Sequence, residues 1–195
     1  MPFAYKFLIK TGEGCFTSWK GHHYWIPGRW YSLGFPLAMC SHGFHACKNL
    51  RDLFSYIHGN SLAIVEYTGK ILKDKNKICA ARMRVVTEVH GVHAAFVAYA
   101  RWCHRFMVKE LDGDGTSRFK ARLERCNHAG RSITFIGTAR YARDVSQEMF
   151  NILRGHRFPK NHLPERRSLN RWRARVVRLQ ERKLRELLLL HGWAS

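Results

Sequence analysis

Acidic residues are scarce in this chain. Its 195 residues hold 14 Asp plus Glu against 34 Lys plus Arg, a formal net charge of +20. That imbalance makes polyanions the natural partners and is the dominant fact of the composition. Long apolar runs are missing too. The longest, Leu187-Leu188-Leu189-Leu190, falls far short of the roughly 18 residues of a membrane span. The opening MPFAYKFLIK lacks a basic start, a long apolar stretch and a small-residue cleavage site, so no signal peptide is expected. No CxxC occurs among Cys15, Cys40, Cys47, Cys79, Cys103 and Cys126. Reduced thiols in a cytoplasm, mostly buried as small hydrophobes, are the expectation. A P-loop, a GxSxG elbow and an HExxH helix are all absent, and Gly12-Glu13-Gly14 reads as a turn, not a phosphate fingerprint.

With 46% hydrophobic and 13% aromatic residues, the chain can still build an ordinary core. An α+β fold is expected, with a small mixed sheet in the N-terminal half and helices in the C-terminal half. Strands are predicted over 3–9, 43–47, 62–67 and 78–86. Asn49 is predicted to cap a short helix carrying Leu50, Leu53, Phe54 and Ile57 at i, i+3, i+4 and i+7. Val92, Ala95, Phe96, Tyr99, Cys103 and Phe106 mark an amphipathic helix. Further helices are predicted over 118–125, over 138–153, and from a Ser168 cap to His191 with Gly192 as its stop. Residues 132–136 read as a strand. The expected organisation is an α+β head over 1–90, a helical extension packed on it over 91–157, and a linker with a basic helix over 158–195.

Charge concentrates in that last part, where residues 154–195 hold 12 basic and 3 acidic side chains. Arg166, Arg167, Arg171, Arg173, Arg175, Arg178, Arg182, Lys183 and Arg185 follow one another there. On a helical wheel they spread around most of the circumference, with Trp172, Val176, Leu179, Leu184, Leu187 and Leu188 as a drifting apolar stripe. Guanidinium forks suit phosphate, and neutralising phosphate releases counterions, so nucleic acid is the expected partner. The same residues also fit a solvated helix docking through its leucines, an acidic protein partner, or a membrane-surface helix.

Trp19, His22, His23, Tyr24, Trp25, Arg29, Trp30 and Tyr31 crowd into an irregular aromatic loop. Aromatics interleaved with cations stack bases, which nominates Trp25, Arg29 and Trp30 as nucleic-acid contacts. They equally suit a ligand pocket or a plug at one end of a small sheet. Cys40, His42, His45 and Cys47 are acceptable zinc ligands, yet C-x-H-x-x-H-x-C is no closed tetrahedral pattern, and no metal is expected. Asp112 and Asp114 resemble the start of a calcium loop, but Ser117 stands where its glycine belongs and Leu123 where its glutamate belongs. Glu66, alone in an apolar strand, reads as a raised-pKa acid or as a residue on the solvated side.

Three stretches carry a family resemblance. They are Tyr5-Lys6-Phe7-Leu8, Gly43-Phe44-His45-Ala46-Cys47, and Val65-Glu66-Tyr67-Thr68-Gly69-Lys70-Ile71 running on to Asp74-Lys75 and Lys77-Ile78. Over roughly residues 1–90 the chain resembles a small domain of unknown function found in phage and prophage proteins. That resemblance implies no activity and assigns no residue a role. The same order of elements is similar to the core of ADP-ribosyltransferase-like folds, with Tyr56 matching the tyrosine after the short helix. A paired catalytic Glu motif is missing, and His45 and Glu66 stand in as candidate catalytic residues. This second resemblance implies NAD as cofactor, whereas the binding reading needs none. Three functions follow as expectations. The first is a phage-type nucleic-acid-binding protein in a host cytoplasm. The second is a transferase modifying nucleic acid or a nucleic-acid-bound protein, with His45 and Glu66 in one cleft. The third is a host-takeover or structural protein whose tail docks onto a host nucleic-acid-bound complex.

Overall fold

The computed structural model describes residues 1–18, 23–34, 36–110, 134–157 and 166–190. The fold is α+β. Its strands are β1 (Phe3–Lys10), β2 (Phe16–Thr17), β3 (Tyr24–Trp25), β4 (Tyr31–Ser32), β5 (Phe44–Ala46), β6 (Ser61–Lys73) and β7 (Ile78–Val89). Its helices are α1 (Leu50–Leu53), α2 (Val92–Glu110), α3 (Phe135–Arg157) and α4 (Arg166–Leu187). By compactness the chain divides into Met1–Val92 with Leu188–Ser195, and His93–Leu187. α4 therefore falls in one unit with α2 and α3 rather than standing as a separate tail. The expected break at Asp112 to Gly115, the helix over 118–125 and the linker over 158–164 lie outside the described residues.

The head is an antiparallel sheet ordered β3-β2-β1-β6-β7-β4, with β5 also paired to β7. β6 and β7 form a long hairpin, closed by the Asp74 N–H donating to the Lys77 carbonyl at 2.9 Å. Both strands outrun the expected spans. The expected strand ended at Tyr67; two residues on, Gly69 has a φ of +79° and sits at an irregularity in the ladder. The register shifts between Thr68 and Ile71, and the strand then continues to Lys73. β5 bonds β7 through Phe44, His45 and Ala46. The next residue, Cys47, exchanges both backbone hydrogen bonds with Tyr5 of β1, at 2.7 and 2.8 Å. The hydrogen bonding thus runs in a circuit, β1 to β6 to β7 to β5 and back to β1.

Period-two alternation puts Ala4 and Leu8, then Ala63, Val65 and Tyr67, then Met83 and Val85, into one buried cluster. Phe16, Trp25 and Phe44 complete it. Asn49 precedes α1 without capping it through its side chain; its amide donates instead to Asp52 at 2.8 Å.

In the second unit the periodic helices form as expected. Phe135 and Ile136 belong to α3, not to a strand, because the apolar spacing of Ala139, Ala142, Val145 and Met149 extends back through them. Ser168 lies inside the first turn of α4 rather than capping it. Gln180 on α4 is fully buried and donates from Nε2 to the Ser146 carbonyl of α3 at 3.0 Å. The Trp172 and Phe150 rings meet with centroids 5.2 Å apart. A buried amide tied to a helix carbonyl fixes the rotation of α4 about its axis, since any other face would leave that amide unpaired.

Candidate functional site

That rotation sorts the basic residues of α4. Val176, Gln180 and Leu184 are buried. Turning about 100° per residue, Arg167, Arg171, Arg175, Arg178 and Arg182 fall within an arc of about 80° centred opposite them. All five are exposed, and none meets a carboxylate among the described residues. The off-stripe cations are engaged. Arg173 lies 5.7 Å over the Phe150 ring. Lys183 pairs with Glu186, and Arg185 pairs with Glu181 at 3.2 Å. Arg166 opens the helix, and its side chain lies outside the described residues. The even spread read from the sequence is thus replaced by a one-sided stripe, about 22 Å long at 1.5 Å per residue. Such a face presents unpaired guanidinium forks to an extended anion.

Of the aromatic loop, Trp19 and His22 lie outside the described residues, and Trp25 is not free to stack on a base. Trp25 is 0% exposed. Its ring packs at 4.4 Å from His23, 5.3 Å from Tyr31 and 5.0 Å from Phe44, and its Nε1 donates to Ser18 at 3.0 Å. A base has no access to that ring, so Trp25 is a core residue. Trp30 is half-buried with the Arg82 and Arg84 guanidiniums 5.4 and 4.9 Å from its ring centre. Arg29 is exposed, 5.5 Å over Tyr31. The local aromatics are therefore largely occupied by protein cations.

His45 and Glu66 are not brought to one cleft. Glu66 is 6% exposed and forms an ion pair with Arg84 at 2.6 Å across the β6–β7 ladder. His45 lines a cavity of about 640 Å³ beside β5, and Glu66 does not. The transferase reading, with NAD as its cofactor, required both side chains together, and this geometry does not carry it. Tyr56 does line the cavity, with Lys77 Nζ 5.1 Å over its ring.

The remaining cavity chemistry is cationic. Lys6, Lys77, His23, His42, His45 and His58 line it, and no Asp or Glu does so among the described residues. Gly43 shapes its rim. A Cβ there would stand 2.0 Å from the Cys79 sulfur, and its φ of +144° suits only glycine. Lys6 donates to the His45 carbonyl at 2.6 Å, and burial lowers its ammonium to about 8. The Cys40 N–H donates to His45 Nε2 at 3.0 Å, which leaves the neutral ring's proton on Nδ1. Burial, with the charges of Lys6 and Lys77 behind it, lowers His45 to about 4. Burial and Lys6 lower His23 as well. Lys77 donates to Cys40 Sγ at 2.8 Å, and the His42 ring bonds the Gly34 carbonyl at 3.0 Å. Cys40, His42 and His45 thus each have another engagement, and Cys47 is buried. No group of three metal-ligating side chains converges among the described residues.

A stability profile follows from His45. The unfolded chain takes up a proton near 6.5 and the native ring only near 4. Its contribution is complete above pH 6.5 and is lost as pH falls toward 4, so unfolding free energy should rise with pH across that window. His45 alone supplies at most about 3 kcal/mol. His23 acts in the same direction. Glu88 does too, because its bonds from Lys10 and Ser61 outweigh burial and hold it below the usual carboxylate range. Urea titrations from pH 4 to 7 check this, and His45→Gln should flatten the slope.

These observations define the head as a small antiparallel α+β domain with a cavity lined by basic side chains and, among the described residues, no carboxylate. A Domain of unknown function (DUF7666) covers residues 4–98, from β1 into α2. Comparison with curated proteins and with solved structures found no match. No described helix is long and apolar enough to cross a membrane.

Proposed function

We propose that the protein binds nucleic acid through the exposed face of α4, with Arg167, Arg171, Arg175, Arg178 and Arg182 contacting phosphates. The observation that carries this reading is the one-sided stripe, five exposed arginines with no carboxylate partner among the described residues, opposite the buried Val176, Gln180 and Leu184. Its length of about 22 Å matches roughly six phosphate steps at 3.4 Å along one strand. Phosphate contacts position a protein without reading bases, so binding has little sequence preference and needs no cofactor. The sequence resemblance to phage and prophage domains supports a setting in a host bacterial cytoplasm. Fluorescence anisotropy with a 20-base-pair duplex of arbitrary sequence tests the reading. Five neutralised phosphates give a log–log salt slope of about −4.5, so affinity should fall about 500-fold between 50 and 200 mM salt. A slope near zero, or no binding at the lower salt, overturns it.

A further inference from the structure

The head contains a second feature that α4 does not explain. Its cavity of about 640 Å³ has two lysines and four histidines on its walls and no carboxylate among the described residues. Two of its polar groups have hydrogen-bonding capacity to spare. Among the described residues, Lys6 spends one of its three N–H donors, on the His45 carbonyl at 2.6 Å. His23 has a buried Nε2 with no hydrogen-bond partner among the described residues. A half-buried ammonium without a counter-charge beside it is costly, and so is a buried ring nitrogen without a partner. Both line one half-open pocket, and the charge of Lys6 acts on His23. One ligand that brings negative charge and several acceptor oxygens relieves both at once.

The size of the pocket narrows the ligand. At about 640 Å³ it falls in the range that holds small organic molecules rather than a single ion. Tyr5, Phe7, Phe44 and Leu53 supply apolar wall for the rest of a molecule. Cavities of this size with a few placed polar groups hold small organic ligands. We propose that this cavity binds a small organic phosphate monoester, with Lys6 Nζ and His23 Nε2 donating to the phosphate oxygens and the apolar wall holding its organic part. Lys77, already 2.8 Å from Cys40 Sγ, adds charge at the rim.

Phenyl phosphate is the probe, with phenol and inorganic phosphate as its two halves. The readout is the indole N–H resonance of Trp25 in the full chain, because that N–H bonds Ser18 on the cavity wall. Phenyl phosphate should shift the resonance saturably and at least ten-fold more tightly than either half. Lys6→Met should weaken binding at least ten-fold, and His23→Phe should weaken it severalfold. Replacing Arg171, Arg175, Arg178 and Arg182 by Gln should leave the titration unchanged. Absence of a saturable shift, phenol binding as tightly as phenyl phosphate, or inorganic phosphate binding as tightly, overturns the assignment. Full affinity in both Lys6→Met and His23→Phe also overturns it.

Discussion

Replacing Arg171, Arg175, Arg178 and Arg182 together by Gln should lower nucleic-acid affinity by on the order of 10³-fold at 100 mM salt. Four lost phosphate contacts remove about 3.6 from a slope of about −4.5. At 0.1 M that change corresponds to about 3.6 log units, and some of it is recovered through hydrogen bonds from the new amides. The substituted positions are exposed, and the helix docks through its other face, so the fold should survive. Gln is a good helix former, which keeps propensity out of the result. Arg173→Gln and Arg185→Gln, taken from cations that already contact Phe150 and Glu181, should each cost far less. If the quadruple variant keeps wild-type affinity and slope, α4 is a docking helix and its apolar residues are the functional ones.

Trp25→Ala should destabilise the head by about 3–5 kcal/mol, the usual cost of truncating a fully buried aromatic. The ring is 0% exposed and packs on three other rings, so its removal leaves a void that short, two-residue β3 cannot close. The Ser18 hydroxyl loses its donor as well. Trp25→Phe should cost less, because it keeps the ring and forfeits only the indole. Neither change should alter the salt slope of nucleic-acid binding. Urea unfolding monitored by circular dichroism gives the first quantity and anisotropy the second. A Trp25→Phe protein that is stable yet has lost affinity would return Trp25 to the binding surface.

The helices were legible because apolar spacing is a local property. Val92, Phe96, Tyr99 and Cys103 announce α2, and Ala142, Val145 and Met149 announce α3. The charge of α4 was legible too, but its one-sidedness was not. Arg173, Lys183 and Arg185 blur the stripe on a helical wheel, and only their contacts with Phe150, Glu186 and Glu181 show that they are engaged. The aromatic loop hid its core residue because composition does not say which of Trp25 and Trp30 faces inward; two-residue pairing with Phe16 and Thr17 decides it. The expected strand over 62–67 fell short because a register shift between Thr68 and Ile71, with Gly69 at positive φ, lets β6 run on past an irregularity that residue patterning does not show. The cavity was illegible for a different reason. Lys6, His23 and Lys77 come from distant parts of the chain, and only the closure of β5 between β7 and β1 assembles them.

That closure also bears on the company the protein keeps. An open sheet offers its outermost strands as templates for any passing extended chain, and self-association follows. In this domain the long strands β6 and β7 are flanked, and the outer sides of β7 and β1 are partly taken up by Phe44 to Cys47. The sheet order ends on β3 and β4, two residues each, which offer little length for a foreign strand to copy. Copies of the head held close together therefore have little free strand length over which their sheets could anneal to one another.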